Sequence, residues 1–200
     1  MVSIKLEESE KIKKMEEDRD SLLKHENELA LNLYKYTMTG GWKEIVEMYK
    51  EHTLSAITTR INTSGDTVLH VAVFIALEEV VKQLVQIIIE LSLESCLWIT
   101  NNDGNTPLHV AASTGRLNIC ILIARYEGFS GSARNNIGES PIFLAAFHGY
   151  KSIFLYLHSQ FLEFYDKDLE STNPVYRRND GETALHWAIR WEYFGEYFLL

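Results

Sequence analysis

Four segments of the chain share one pattern of polar and hydrophobic positions. Residues 65–72, 104–111, 138–145 and 181–188 each begin with Gly and a polar residue, continue with Thr or Ser, and end in an apolar run closed by Ala. The Thr or Ser positions lie 39, 34 and 43 residues apart. Self-similarity at such a period predicts a stack of repeated supersecondary units.

The second of these segments indicates what each unit is. Thr106 is a favourable helix N-cap, and Pro107 suits the first helical position, where its missing N–H is not needed. Three apolar residues then share one helical face: Leu108, Ala111 and Ala112. Gly115 permits the left-handed backbone that ends a helix, and a second apolar stripe follows: Ile119, Leu122 and Ile123. We therefore predict an all-α solenoid of about five stacked helical hairpins with short connecting turns.

A divergent first repeat precedes the four segments. Aligning Gly41 with Gly115 places Asn32, an acceptable N-cap, opposite Thr106, and places Lys35 where the later repeats have His. Loss of the pattern is expected at a terminal repeat, whose outer face meets water. We expect a charged helix or arm at residues 1–28 and repeats over residues 29–200. The approximate repeats are 31–62, 63–101, 102–135, 136–178 and an incomplete 179–200.

The first 28 residues contain six Lys or Arg and nine Asp or Glu, with apolar residues at mixed helical intervals. The apolar positions are Ile12, Met15, Leu22, Leu23 and Leu29. This pattern is compatible with a short coiled-coil arm, but it favours a solvated helix that partly covers the first repeat, because the heptad is neither long nor strict.

Composition narrows the class of protein. The chain has 200 residues, of which 46% are hydrophobic, and a formal net charge of −9. This charge disfavours nucleic-acid binding, which requires clustered Lys and Arg. Only Cys96 and Cys120 are present, and two buried reduced thiols are expected. No uninterrupted apolar span of about 20 residues is found, so direct membrane insertion by this chain is not expected, and we predict a cytoplasmic location.

The repeated motif resembles that of the ankyrin repeat family over residues 29–200. Finer details resemble the amino-terminal half of plant membrane-anchored ankyrin proteins of the accelerated-cell-death and salt-tolerance type, which carry a carboxy-terminal PGG domain. The segments that carry this second resemblance are 33–34, 41–43, 64–73, 177–183 and 192–194. It implies a protein-binding role in plant stress or defence signalling, in the cytoplasm or on the cytoplasmic side of the plasma membrane.

Departures from the family pattern fall at three places. Ala76 stands where Gly115 stands in the next repeat, so the geometry of that turn is left open. Phe143 replaces the motif His, and Trp191 and Glu192 stand where a glycine is expected. We also expect the last helix to be incompletely covered, because the chain finishes in an apolar run.

The family resemblance gives the histidines a structural role, in which the imidazole links the cap Thr to the backbone of the adjoining turn. The motif residues assigned to it are Thr67, His70, Thr106, Pro107, His109, Ser140, Pro141, Thr183 and His186. His148 and His158 are expected at the surface. Since no nucleophile–base arrangement, phosphate loop or metal-ligand spacing remains, we predict no catalytic residue, metal, cofactor or small-molecule substrate.

The resemblance also implies that a protein partner binds at the turn tips and at the inner helices lining a concave groove. The candidate tip residues are Asp66, Asp103, Asn105, Ile137, Glu139, Asp180 and Glu182. The candidate groove residues are Phe74, Ile75, Ser113, Thr114, Phe147, His148, Arg190 and Trp191. An alternative function is structural self-assembly through the amino-terminal arm or an exposed terminal repeat.

Overall fold

The computed structural model describes residues 2–126, 133–164 and 174–190, and within them helices joined by turns make up the regular secondary structure, apart from two isolated β-bridges. The helices are α1 (Val2–Thr39), α2 (Trp42–Thr58), α3 (Val68–Phe74), α4 (Glu78–Glu90), α5 (Pro107–Ser113), α6 (Leu117–Ala124), α7 (Pro141–Phe147), α8 (Lys151–Phe164) and α9 (Ala184–Arg190). Short 3-10 helices at Glu94–Trp98 and Pro174–Tyr176 follow α4 and α8. The predicted all-α hairpin architecture is confirmed.

The helices form two parallel rows. The inner row runs from α1 through α3, α5 and α7 to α9, and the outer row from α2 through α4 and α6 to α8. Small side chains such as Ala72, Ala111 and Ala145 are fully buried in the inner row, so neighbouring hairpins approach closely. Larger apolar residues of the outer row, such as Leu84 and Ile123, complete a single core along the stack.

The first hairpin differs from its prediction by one residue. Gly40, with φ +78°, ends α1, and the N–H of Gly41 donates to the carbonyl of Tyr36 at 2.8 Å. Gly115 has φ +76°, and the N–H of the residue after it, Arg116, donates to the carbonyl of Ala111 in the same way. Gly40 is therefore the equivalent of Gly115, and the alignment through Gly41 is wrong. The residue opposite the motif His is therefore Tyr34.

The expected N-cap at Asn32 is also wrong, because α1 continues through it without a break from Val2 to Thr39. The side chains described between Arg19 and Glu28 are exposed, and burial on one face of α1 begins at Leu29. Within this stretch, the ring of His25 makes an edge contact with the ring of His52 in α2 at 5.8 Å. The helix itself shows no boundary at residue 28, and the repeat limits remain predictions.

In the portions that the structure describes, no helix is both long enough and apolar enough to cross a membrane. Cys96 and Cys120 are both buried and are not joined in a disulfide. The predicted departure at Trp191 and Glu192, and the apolar run at the end of the chain, lie outside the described residues.

The turn after α3 keeps the geometry of its neighbours despite the missing glycine. Ala76 has φ +60°, and the N–H of Leu77 donates to the carbonyl of Ala72 at 3.1 Å. The corresponding bond after Gly115 runs from Arg116 to Ala111 at 3.0 Å. Packing of the hairpin therefore holds an alanine in a left-handed conformation that its Cβ disfavours.

We predict that Ala76→Gly stabilises the protein by about 0.5–1 kcal/mol, because it removes this strain at some cost in chain entropy. The matched variant is Gly115→Ala, whose new Cβ at φ +76° would lie 2.9 Å from the ring of Tyr150. That variant should be destabilised. Urea unfolding of both proteins checks the pair, and a loss of stability in Ala76→Gly would contradict the strain.

Candidate partner-binding surface

Two buried histidines, His70 and His109, each join their own repeat to the following one. In His109, Nδ1 lies 2.9 Å from the hydroxyl of Thr106 and accepts the Thr106 backbone N–H at 3.1 Å. Its Nε2 lies 3.1 Å from the carbonyl oxygen of Glu139. His70 repeats the arrangement with Thr67 and with the carbonyl of Asn105, 2.9 Å from its Nε2. Since a carbonyl only accepts, the network assigns the proton to Nε2 in both rings.

Both imidazoles are held neutral by their surroundings. Burial lowers the pKa of His109 to about 4, and burial also lowers the pKa of His70. Each ring is only 1% exposed. These histidines are therefore committed to a fixed hydrogen-bond role and lie out of reach of a substrate.

The third and fourth motif segments make this link between repeats with different residues or only in part. Ser140 caps α7 by accepting the N–H of Phe143, and its hydroxyl donates to the carbonyl of Val175 at 2.6 Å. The serine thus makes the link to the next repeat that His makes elsewhere, and Phe143 is buried apolar core. Thr183 and His186 keep the bonds within the motif, at 2.8 and 3.1 Å, although the His186 side chain is exposed.

The turns between repeats, which we call fingers, are joined to one another by a ladder of hydrogen bonds. Backbone N–H groups of Asn102, Asn136 and Asn179 donate to carbonyls of the preceding finger at 2.9, 3.0 and 3.1 Å. Their side-chain amides donate to carbonyls of the preceding finger as well, at 2.9, 2.8 and 3.2 Å. These asparagines are exposed at the edge of the stack, yet each side-chain amide already donates one hydrogen bond within it.

The predicted tip residues divide into exposed and more buried positions. Asp180 is exposed, yet its carboxylate accepts the N–H of Glu182 at 3.0 Å and lies 3.5 Å from the guanidinium of Arg178. Asp103, Ile137 and Asp180 are exposed and occupy equivalent places in three successive fingers, and we call them the tip row. By contrast, the carboxylate of Asp66 accepts from Asn101 at 2.8 Å, and the amide oxygen of Asn105 accepts from Asn135 at 2.9 Å. The latter two residues, like Glu182, are half-buried.

Glu139 is not a surface residue, and the expectation that it projects from its finger is wrong. It is 8% exposed, and its carboxylate accepts from the side chain of Asn135 at 3.0 Å and lies 3.7 Å from the guanidinium of Arg178. Its own N–H donates to the side-chain oxygen of Asn135 at 2.8 Å. The carboxylate therefore supports the finger instead of facing a partner.

The predicted groove residues are most exposed in the second repeat, where Phe74 is 62% and Ile75 45% exposed. Ser113 and Thr114 are half-buried, and both hydroxyls donate to the carbonyl of Val110, at 3.1 and 2.6 Å. A partner would therefore meet little free hydrogen-bonding capacity at these two side chains.

In the fourth repeat, the predicted groove residue Phe147 packs against the next inner helix. Phe147 is half-buried, with its ring centroid 4.6 Å from that of Trp187 in the next inner helix. His148 is exposed, as expected. His158 is not fully at the surface, because it is half-buried and 2.7 Å from the hydroxyl of Tyr176. Arg190 ends α9, and Trp191 lies beyond the described residues.

One groove residue was missed by the sequence analysis. With Gly40 as the turn glycine, Met38 is equivalent to Phe74, Ser113 and Phe147, and it is 55% exposed. We call these four positions the groove row. Aligning the first repeat through Gly40 instead of Gly41 would have identified Met38 from the sequence. Exposed apolar surface in the groove is thus concentrated on Met38, Phe74 and Ile75, in the first two repeats.

Other concave features lie on the opposite side of the stack. Shallow clefts of about 500, 490 and 300 Å³ lie between α1 and α2, between α2 and α4, and between α4 and α6. In the described ranges, no group of three or more His, Cys, Asp or Glu side chains is placed to hold a metal ion.

Comparison with known proteins identifies the repeats. The family described as Ankyrin repeats (3 copies) matches residues 43–131 and 86–171, which together cover more than half of the chain. A search of curated proteins found no match.

We predict that replacing both Thr106 and His109 by Ala lowers the free energy of unfolding by about 1–3 kcal/mol, through loss of a cap and of a buried link between repeats. The matched control replaces Thr183 and His186, which make the same bonds at an exposed position. Its loss should be smaller, about 1 kcal/mol or less. Equal urea midpoints for the Thr106/His109 variant and the unmodified chain would contradict the structural role.

The lowered pKa of His109 also predicts a pH dependence of stability. Between pH 6.5 and about 4 the unfolded chain binds a proton at this ring that the folded chain does not. The free energy of unfolding should therefore fall as the pH decreases through this window, by at most about 3 kcal/mol from His109.

Urea unfolding at pH 7 and pH 5 measures this effect, with His109→Gln as the control. Glutamine does not titrate, so the variant should be less stable at pH 7 but lose less stability on acidification. An identical loss in both proteins would assign the pH dependence to other groups.

Proposed function

The chain belongs to the ankyrin repeat family, and we propose that it is a non-catalytic module that binds a protein partner through its concave groove. Ankyrin repeats are generally protein–protein interaction modules. The observation that carries the assignment to this surface is the exposure of Met38, Phe74 and Ile75, at 55%, 62% and 45%, on the inner helices. Exposed apolar side chains grouped in a concavity are typical anchors of a protein interface.

The distribution of hydrogen bonds supports the same surface. Finger asparagines and the Ser113 and Thr114 hydroxyls already bond within the stack. The side chains that remain available are apolar groove residues and, in the tip row, Asp103 and Ile137, because the Asp180 carboxylate already bonds to Glu182 and Arg178. We infer that a partner inserts an apolar group between the first two repeats and meets acidic and apolar side chains at the fingers.

We keep plant stress or defence signalling, and attachment to a membrane through the rest of a longer protein, as part of this proposal. They rest on the sequence resemblance of segments such as 64–73 and 177–183. Cytoplasmic location belongs to the same proposal.

We predict that Phe74→Glu, combined with Met38→Glu, reduces partner affinity by at least about tenfold, because it places charges where apolar groups would be buried. The control is Leu155→Glu, an equally large change at an apolar residue that is 45% exposed on the outer helix α8. Circular dichroism and urea unfolding should match the unmodified chain in both variants, because surface changes rarely unfold a protein.

The partner can be found and mapped in one experiment. A photoreactive phenylalanine analogue placed at Phe74 should crosslink to a discrete protein, and the same analogue at Leu155 should not. Crosslinking only from Leu155, or equal affinity in the groove variant and the unmodified chain, would place binding outside the groove.

A further inference from the structure

Two of the seven histidines have no role in the repeat motif or the groove. They are His25 on α1 and His52 on α2, and their rings meet across the first hairpin with centroids 5.8 Å apart and planes inclined at 61°. In the described residues no hydrogen bond engages the ring nitrogens of either, whereas His158 and His186 are bonded. His25 is exposed and His52 half-buried, so the pair lies at the surface.

The separation of the two rings is close to the one that a shared metal ion requires. A tetrahedral Zn²⁺ bound to imidazole nitrogens at about 2.1 Å places the two ring centroids about 5.2 Å apart. The observed distance of 5.8 Å is larger by a few tenths of an ångström. Rotation of the exposed His25 side chain closes such a gap, because solvent leaves its torsions free.

Both rings stand on helix that is anchored in the stack. His25 lies one turn before Leu29, which is 4% exposed, and His52 lies three residues after Tyr49, which is fully buried. The helical backbone of α2 is interrupted directly after His52, at Thr53 with φ 40° and ψ −115°. His52 therefore lies at the carboxyl end of a helical segment, where the peptide dipoles favour a cation.

The cleft beside the pair is acidic. His52 lines the cleft of about 500 Å³ between α1 and α2 together with Glu44, Glu47 and Glu51. These carboxylates are not ligands, since no three His, Cys, Asp or Glu side chains are grouped for a metal in the ranges that the structure describes. They can accept hydrogen bonds from metal-bound water, which leaves the remaining coordination positions to water.

We propose that His25 and His52 form a two-histidine site for a divalent transition metal of the Zn²⁺, Ni²⁺ or Cu²⁺ class, completed by water on the side of the acidic cleft. Imidazole suits these ions, whereas Ca²⁺ and Mg²⁺ prefer oxygen ligands. A bound ion ties the charged amino-terminal part of α1 to α2 and so holds it against the first hairpin.

Calorimetric titration of the full chain with Ni²⁺ tests the site. We expect the dissociation constant to rise at least about tenfold in His25→Ala and in His52→Ala, because each variant loses one of two ligands. His148→Ala is the matched control: it removes an exposed histidine elsewhere and should bind as the unmodified chain does. Equal affinity in His52→Ala and the unmodified chain indicates an adventitious ion only and overturns the proposal.

Electron paramagnetic resonance of bound Cu²⁺ reports the ligands directly. The unmodified chain should show nitrogen couplings from two imidazoles, and His25→Ala and His52→Ala should show couplings from one. A two-imidazole spectrum in either variant would assign the metal to other histidines and overturn the pair. Ni²⁺ should also slow amide hydrogen exchange in the turn of α1 around His25, because the metal joins this turn to α2.

Discussion

The structure depends on a hydrogen bond that no single repeat can make for itself. Each finger exposes backbone carbonyls that belong to no helix or sheet, and such groups need partners when they are buried. His70 supplies one to Asn105, and His109 supplies one to Glu139, 35 and 30 residues away along the chain. A repeat therefore becomes fully satisfied only when its neighbour is folded, which couples the hairpins into one cooperative stack.

This coupling determines which side chains remain for recognition. The side-chain amides of Asn102 and Asn136 donate hydrogen bonds to the preceding finger, and the Glu139 carboxylate lies between Asn135 and Arg178. Most of the polar groups at the edge of the stack are consequently part of the scaffold. Specificity is left to the tip row and the groove row, where side chains can change without loss of a bond that holds two repeats together.

Local signals explain how much of the fold could be predicted from the sequence. The turn and helix cap formed by Gly104, Thr106 and His109 involve residues that are close together in the sequence. The repeated motif was therefore enough to predict the hairpins. The adjacent glycines at positions 40 and 41 gave no local reason to prefer one, and the first alignment was displaced by one residue. Only the bond from Gly41 to Tyr36 resolves it.

Burial that depends on distant partners could not be predicted in this way. Glu139 has the sequence of an exposed turn, but Arg178 approaches it from the next finger. His158 is similar, because Tyr176 reaches it from a segment 18 residues away. In both cases the decisive contact spans the variable interval between repeats, where the motif contains no information. The same reasoning explains why Ala76 could occupy a glycine position, since packing on both sides fixes the turn.

The two ends of the described stack differ in their backbone, but both expose apolar side chains. In the first repeat, α1 replaces a finger with continuous helix, whose backbone carbonyls bond within the helix and need no donor from a neighbouring repeat. What remains open is side-chain surface, and on α1 it is apolar at Leu31 and Tyr34. At the finger before α9, Phe147 packs against Trp187, while Leu185, which is 60% exposed, and the imidazole of His186 are open to solvent. Water hydrates the imidazole, but the exposed apolar side chains at both ends of the described stack gain free energy only when another surface buries them.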